Sequence, residues 1–194
     1  MRGRDSAGRA VLYLSRNAHK YEEARALLGQ AVKLAFRPMS FVEPQLLSVR
    51  AVALHKARQA AVRIKGPFLV EDSGLYVAAL RGFPGALSSP VFSLLGNEGL
   101  LRLLKGERDR RAVFRACVVY GEGGRPVRLF CGSVTGKIAQ EPRGSGGFGF
   151  DPIFVPRGSA STFAEMPLEL KNRLSHRARA LRRFAAWFGA RESL

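Results

Sequence analysis

Three carboxylates, Glu43 and the adjacent pair Glu71-Asp72, together with Lys20 and Lys56, are residue types suited to a divalent cation and a polyphosphate. Mg2+ takes one or two carboxylates and leaves its other positions to water and phosphate oxygens. A second set follows: Phe148-Gly149-Phe150-Asp151-Pro152, then Lys171 and Ser175-His176-Arg177. A flat face such as Phe148 stacks on any base, whereas the donors of Lys171, His176 and Arg177 can read the atoms on its edge. No serine lies in a GxSxG elbow and neither cysteine has a histidine partner at a nucleophile's spacing. Attack by water, assisted by a metal and without a covalent intermediate, is the chemistry left.

Each of these residues also has a plain structural reading. Glu71-Asp72-Ser73-Gly74 follows the apolar run Pro67-Phe68-Leu69-Val70, so it reads as the carboxyl end of a buried strand, where ligands gather in an α/β sheet, or simply as a turn. Neighbouring residues of an extended chain point to opposite sides, so at most one of the two acids faces a given site. Ser15, Asn17 and Lys20 open a helix after a strand and offer N–H groups to an anion; Ser15 or Asn17 capping the helix, with Lys20 solvated, is the alternative. The spacing GxxxxGK[ST] is absent. Lys56 by itself reads as an exposed helical lysine. Phe148 and Phe150 suit core packing, Asp151 suits a turn before Pro152, and His176 after Ser175 suits a cap or kink.

The elements that must position these residues follow from periodicity. A strand at Arg9–Leu14, a helix through Leu28, a strand at Ala31–Phe36, a helix at Leu47–Ile64 and a strand at Pro67–Val70 form the first half. Phe83-Pro84-Gly85 is a turn and Pro90–Leu104 a helix. Ala112–Tyr120 and Val127–Thr135 are antiparallel strands around Gly121-Glu122-Gly123-Gly124, Gly144–Gly149 is a candidate mobile loop, and Leu168–Phe188 is a final helix. The alternation predicts an α/β fold with a mixed sheet whose second half is antiparallel.

With 194 residues, 46% of them hydrophobic, the chain is expected to be a single domain, residues 1–8 forming a flexible tail. No apolar run approaches the roughly 20 residues of a membrane span, and the N-terminus lacks a signal peptide's apolar centre, so a soluble cytoplasmic protein is expected. Cys117 and Cys131 lie in β-type runs without metal-ligand spacing and are expected to be free core thiols. A net charge of +17 invites a different class of function, nucleic-acid binding. The arginines are scattered, however, apart from a cluster over Arg173–Arg183, and aromatic residues do not interleave with them in a binding stripe. The same field would steer a small polyanion into a cleft.

Taken in order, S-x-N-x-x-K at Ser15–Lys20, Glu43, Glu71-Asp72-Ser73-Gly74-Leu75, Phe83-Pro84-Gly85, Phe148–Pro152 and Thr162-Phe163-Ala164-Glu165-Met166 through Ser175-His176-Arg177 resemble the inosine triphosphate pyrophosphatase family over nearly the whole chain. The resemblance implies an elongated mixed sheet with flanking helices and two lobes around a central nucleotide-binding cleft. It also implies a homodimer and Mg2+-dependent hydrolysis of ITP, dITP and XTP to monophosphate and pyrophosphate, with Mn2+ a possible substitute. Carried over by position, Glu43 and Asp72 hold the metal, and Asp72 with Glu71 orients or deprotonates water. Ser15, Asn17, Lys20 and Lys56 bind the substrate's phosphate side, Ser73 also contacts the substrate, Phe148 stacks on the base, and Asp151, Lys171, His176 and Arg177 fix sugar or base edges. Pyrophosphatase action on other modified nucleotides is the neighbouring alternative. The chain departs from the family pattern at Arg16, in the Glu43-Pro44 loop and at Ala86-Leu87-Ser88-Ser89-Pro90, which lacks the usual aromatic.

Overall fold

Phe68-Leu69-Val70 is apolar at every position because the strand it begins, β3 (Phe68–Val77), is covered on both faces. Phe68 and Val70 pack beneath α2 (Val49–Arg63), while Leu69 packs against α1 (Ala18–Leu28) and α5 (His176–Glu192). The computed structural model describes residues 10–29 and 31–192, so the expected tail over residues 1–8 lies outside the described residues. β1 (Val11–Leu14) pairs in parallel with β2 (Leu34–Arg37) on one side and β3 on the other. β3 then pairs antiparallel with β5 (Arg111–Glu122), which forms a long hairpin with β6 (Arg125–Ile138). β7 (Phe154–Pro156) extends β6, and a two-residue β4 (Pro84–Gly85) pairs with β3. Among the described residues the sheet has seven strands, ordered β2-β1-β3-β5-β6-β7 with β4 off this path. This is the mixed α/β sheet expected, antiparallel in its second half.

Three cores build around it. One lies under α2, a second between the sheet and α1 and α5, and a third at the far end. The far core joins Leu75, Val77 and Phe114 to Leu100 of α3 (Ser88–Leu103) and to Phe150, Phe154 and Phe163. No helix among the described residues is long and apolar enough to cross a membrane.

The structure revises four expectations. β3 does not end at Val70 but continues through Glu71-Asp72-Ser73-Gly74, because β5 supplies a pairing partner along its whole length. Gly74 is required there by close approach, since a Cβ would collide with the Gly85 carbonyl of β4. The last helix is two: α4 (Leu168–Leu174) stops at Ser175, whose extended backbone (ψ 157°) starts α5 in a new direction while its hydroxyl accepts the Ala178 N–H. α3 starts before Pro90 and is interrupted at Gly96 (φ 61°, ψ −166°). Finally, Cys117 and Cys131 are disulfide-bonded, because the hairpin register sets them directly opposite each other, with Cα atoms 4.2 Å apart. Sequence spacing alone does not reveal cross-strand register. Cross-linking a loop of this length limits the unfolded chain by about 3 kcal/mol. Urea unfolding with and without reductant, beside a Cys131→Ser variant, is expected to show a lowered midpoint in both reduced and substituted protein.

The basic cluster near the C-terminus is also resolved by the fold. Arg179 and Arg183 donate to the carbonyls of Ser133 and Cys131, an open edge of β6, and Arg182 donates to the last carbonyls of α4. These arginines spend donors on the protein's own backbone rather than forming a free cationic stripe.

Candidate active site

β1 stops at Leu14, opposite Val70, and leads into α1 on one face of the sheet, whereas β3 is entered from α2 on the other face. The chain therefore diverges at the carboxyl end of β1, next to Glu71 and Asp72, and such switch points are where open α/β sheets bind ligands. The alternation of β3 sends the two acids to opposite faces: Glu71 shares its face with Tyr13, Leu69 and α5, and Asp72 shares its face with Leu14, Val70 and α2.

Glu71 is saturated. Arg177 donates from Nε at 3.0 and 2.9 Å to Oε1 and Oε2 and from Nη2 at 2.9 Å to Oε1; the Tyr13 hydroxyl donates to Oε2 at 2.7 Å. Lys20 Nζ stands 3.6 Å away. Burial works against the Glu71 charge, but Arg177 and Lys20 outweigh it and hold the carboxyl far below the usual range. Asp72 differs. Its Oδ1 accepts from Lys56 Nζ at 2.8 Å, and its Oδ2 is buried without a hydrogen-bond partner among the described residues. Burial pushes its pKa up, with Lys56 and Lys20 offsetting only part. Two neighbouring carboxylates have pKa values pushed in opposite directions by their surroundings. The expectation that Glu71 also handles water thus meets a carboxylate with its oxygens already engaged.

Lys56, which by itself reads as exposed, is 6% exposed and bridges Asp72 to Glu43 at 2.7 Å. Burial opposes its charge, yet Asp72 and Glu43 raise its pKa. Lys20 is largely buried rather than solvated; burial lowers its pKa and Glu71 restores part. Ser15 accepts the Asn17 N–H at 3.0 Å, and Asn17 caps α1 by accepting the Lys20 N–H at 3.3 Å, so both shape the turn that delivers Lys20. Ser73 lies 3.4 Å from Arg177 Nη2.

The second expected set gathers around a residue that sequence reading missed, Glu23 of α1. Its carboxylate takes Arg177 Nη1 at 2.5 Å and Lys171 Nζ at 2.5 Å, and those cations outweigh burial to lower its pKa. Lys171 also reaches Asp151 at 2.5 Å. Asp151 accepts the Phe148 N–H at 2.8 Å, and burial raises its pKa against the pull of Lys171. Gly147 must be glycine, at φ 68°, since a Cβ would strike the Asp151 carboxylate. Asn97, just past the interruption in α3, donates to the Gly149 carbonyl at 3.3 Å. Phe148 remains half-buried while Phe150 belongs to the far core, edge-on to Phe92, so the two phenylalanines divide between platform and packing. His176 lies flat on Phe114, 4.6 Å between centroids, buried, with Nδ1 unpaired among the described residues; burial and the Arg177 charge push its pKa well below the ordinary histidine value. No hydrogen bond joins its side chain to the other expected site residues among the described residues.

Glu23 lies three residues after Lys20 on α1 and Tyr13 two residues before Ser15, so helical and strand periodicity carried a faint signal for both. Among the described residues no group of three or more His, Cys, Asp or Glu side chains is arranged to hold a metal without further ligands. The donor set still fits a hard cation: Asp72 Oδ2 is an oxygen without a partner, Glu43 shares Lys56 with Asp72, and Mg2+ needs only such a pair plus water and phosphate.

A mixed sheet whose switch point carries paired acids and lysines, with Phe148 beside their partners Lys171 and Arg177, is an α/β protein of the kind that binds ligands at such points. The chain belongs to the Ham1 family, whose model matches residues 11–187. It is 48% identical over 178 residues to a dITP/XTP pyrophosphatase of Thermococcus kodakarensis, covering 91% of this chain and 96% of that protein. Identity to a protein of the same name from Methanopyrus kandleri is 47% over 180 residues, covering 92% and 95%. The solved HAM1 protein of Coxiella burnetii superposes with a TM-score of 0.78 at 31% identity, covering 93% of this chain and 98% of that one.

Proposed function

We propose that this protein is a nucleoside-triphosphate pyrophosphatase that hydrolyses ITP, dITP and XTP to monophosphate and pyrophosphate and so clears non-standard purines from the nucleotide pool. The observation that carries the reading is Asp72, a buried strand-borne carboxylate with one oxygen unpaired and two lysines beside it, in a chain whose relatives are named for this activity. Asp72 accepts the proton of the attacking water. Glu71, permanently ionised, fixes Arg177 and Lys20. Lys20 and Lys56 exchange part of their carboxylate contacts for phosphate oxygens and offset charge growing on the pyrophosphate leaving group. Asp72 and Glu43 would hold Mg2+, or Mn2+ in its place, which when bound screens the phosphates and activates water.

The base stacks on Phe148. Of the three ammonium donors of Lys171, two are spent on Glu23 and Asp151, which leaves one for an acceptor at the base edge. Arg177 spends its Nε and donors of both Nη atoms on Glu71, Glu23 and Ser73. Inosine and xanthine bases present an acceptor at O6 where adenine presents an amino group, and an unpaired buried donor discriminates by roughly 10⁴-fold. The enzyme acts as a homodimer in the cytoplasm on this reading.

Pyrophosphate release from ITP, dITP, XTP, GTP and ATP, with Mg2+ and with EDTA, tests the proposal. Metal-dependent turnover concentrated on the first three is expected. No release from any of them, together with salt-sensitive DNA binding, would overturn it in favour of a nucleic-acid-binding protein.

A further inference from the structure

We propose that His19 is the second wall of the base site, so that the purine is held as the middle layer between two rings rather than on Phe148 alone. This rests on the pyrophosphatase reading above. Three groups crowd the Phe148 ring: Lys171 Nζ at 5.1 Å and Arg177 Cζ at 5.2 Å from its centroid, and the His19 ring, stacked at 5.5 Å with 15° between planes. Lys171 and Arg177 are each 2% exposed and each held by two carboxylates, so moving either aside would strand buried charge. The His19 side chain is exposed and has no hydrogen bond or ion pair among the described residues. It is the neighbour able to yield when a flat ligand arrives.

The two rings differ in how firmly they are held. Phe148 is fixed through its backbone, by Asp151 accepting its N–H and by Asn97 holding the next carbonyl. His19 stands on the first turn of α1, four residues before Glu23 and therefore on the same helical face as the carboxylate that grips Lys171 and Arg177. One helix thus carries a movable ring and the anchor of the edge-reading cations. Stacked ring pairs keep centroids roughly 4.5–7 Å apart, so the present pair leaves no layer between them. Rotation of an exposed side chain, a ps–ns event, opens one. A base inserted there has an aromatic face on each side. Since every base has a π-face, the second wall tightens all purine substrates alike and leaves selectivity to the edge donors.

The test compares His19→Ala, His19→Phe and His19→Tyr with the wild type, using ITP and XTP turnover and calorimetric binding of ITP in EDTA. Alanine is expected to raise KM for both nucleotides and weaken ITP binding by about tenfold, within the roughly 5- to 150-fold range for loss of one stacking partner, with the loss falling on KM rather than kcat. Phenylalanine and tyrosine are expected to restore KM, and the ITP-to-XTP ratio to stay fixed. An unchanged KM in His19→Ala, or a lowered one, would overturn the proposal, the latter by showing that His19 merely blocks the ring. Wild-type protein that neither turns over nor binds ITP would overturn the pyrophosphatase reading as well, so the two failures are distinguishable.

Discussion

Replacing Asp72 with asparagine is expected to reduce pyrophosphate release from ITP and XTP by about 10³-fold or more while the protein stays folded. The magnitude follows from losing a proton acceptor together with a carboxylate facing the phosphates, effects of about 10²–10⁴ when a positioned base is removed. Asparagine has almost the same shape, so β3 pairing with β5 is undisturbed. It also removes a charge that burial disfavours, so the thermal midpoint is expected to hold or rise. Lys56 retains Glu43 as a partner. Measuring turnover and circular dichroism on the same preparation separates lost chemistry from lost fold; a variant as active as wild type would remove Asp72 from the mechanism.

The wild-type pH profile carries the same argument. In the proposed mechanism Asp72 works as a carboxylate, and its raised pKa then predicts that activity falls on acidification at a higher pH than an ordinary aspartate would give. In the same proposal Lys20 works as a cation, and its lowered pKa then predicts an alkaline limb that begins below the ordinary lysine range. A bell narrowed from both sides is expected in kcat/KM.

The second large effect concerns stability. Arg177→Met is expected to cost about 3–5 kcal/mol, a large share of the 5–15 kcal/mol that holds a typical domain together. Arg177 is 2% exposed and joins Glu71 to Glu23, so its removal leaves two buried carboxylates short of compensation. Urea unfolding should show the loss. Adding Glu71→Gln should recover part of it, because one stranded charge goes with its partner; full additivity would mean that the pair is not coupled. Arg177→Lys should rescue poorly, since an ammonium cannot span both carboxylates with a planar fork. The effect depends on pH with a definite sign. Glu71 and Glu23 have lowered pKa values in the folded protein, so the stability they contribute is fully present above the ordinary carboxylate range and is lost as pH falls below it. The gap between wild type and Arg177→Met should therefore narrow in acid.

Residue types and local periodicity were enough to place the mixed sheet, the α2 helix and the β5–β6 hairpin, because apolar alternation and glycine turns are properties of neighbours in sequence. They were also enough to notice Glu71 and Asp72, since charge following an apolar strand is visible without coordinates, whereas Lys20, Lys56, Phe148, Lys171 and Arg177 had plain local readings and became candidates as a set only through the ordered family resemblance. The limit of β3 was misread, because whether a polar run ends a strand depends on a partner, β5, some forty residues away. The cysteine pair was misread for the same reason, as register across a hairpin is not written in either strand alone.

Sequence by itself therefore determined the inventory: which side chains bear charge, which elements carry them, and that adjacent acids on a strand face apart. Only the tertiary structure decided their states. Glu71 and Asp72 are neighbours with the same functional group, yet one is saturated by Arg177, Tyr13 and Lys20 and the other is left with an open oxygen. The partners that make this difference, together with Glu23, converge from α1, α5, β1 and β3, segments up to 154 residues apart. Desolvation and Coulomb interaction depend on distance in space, and the fold alone sets those distances.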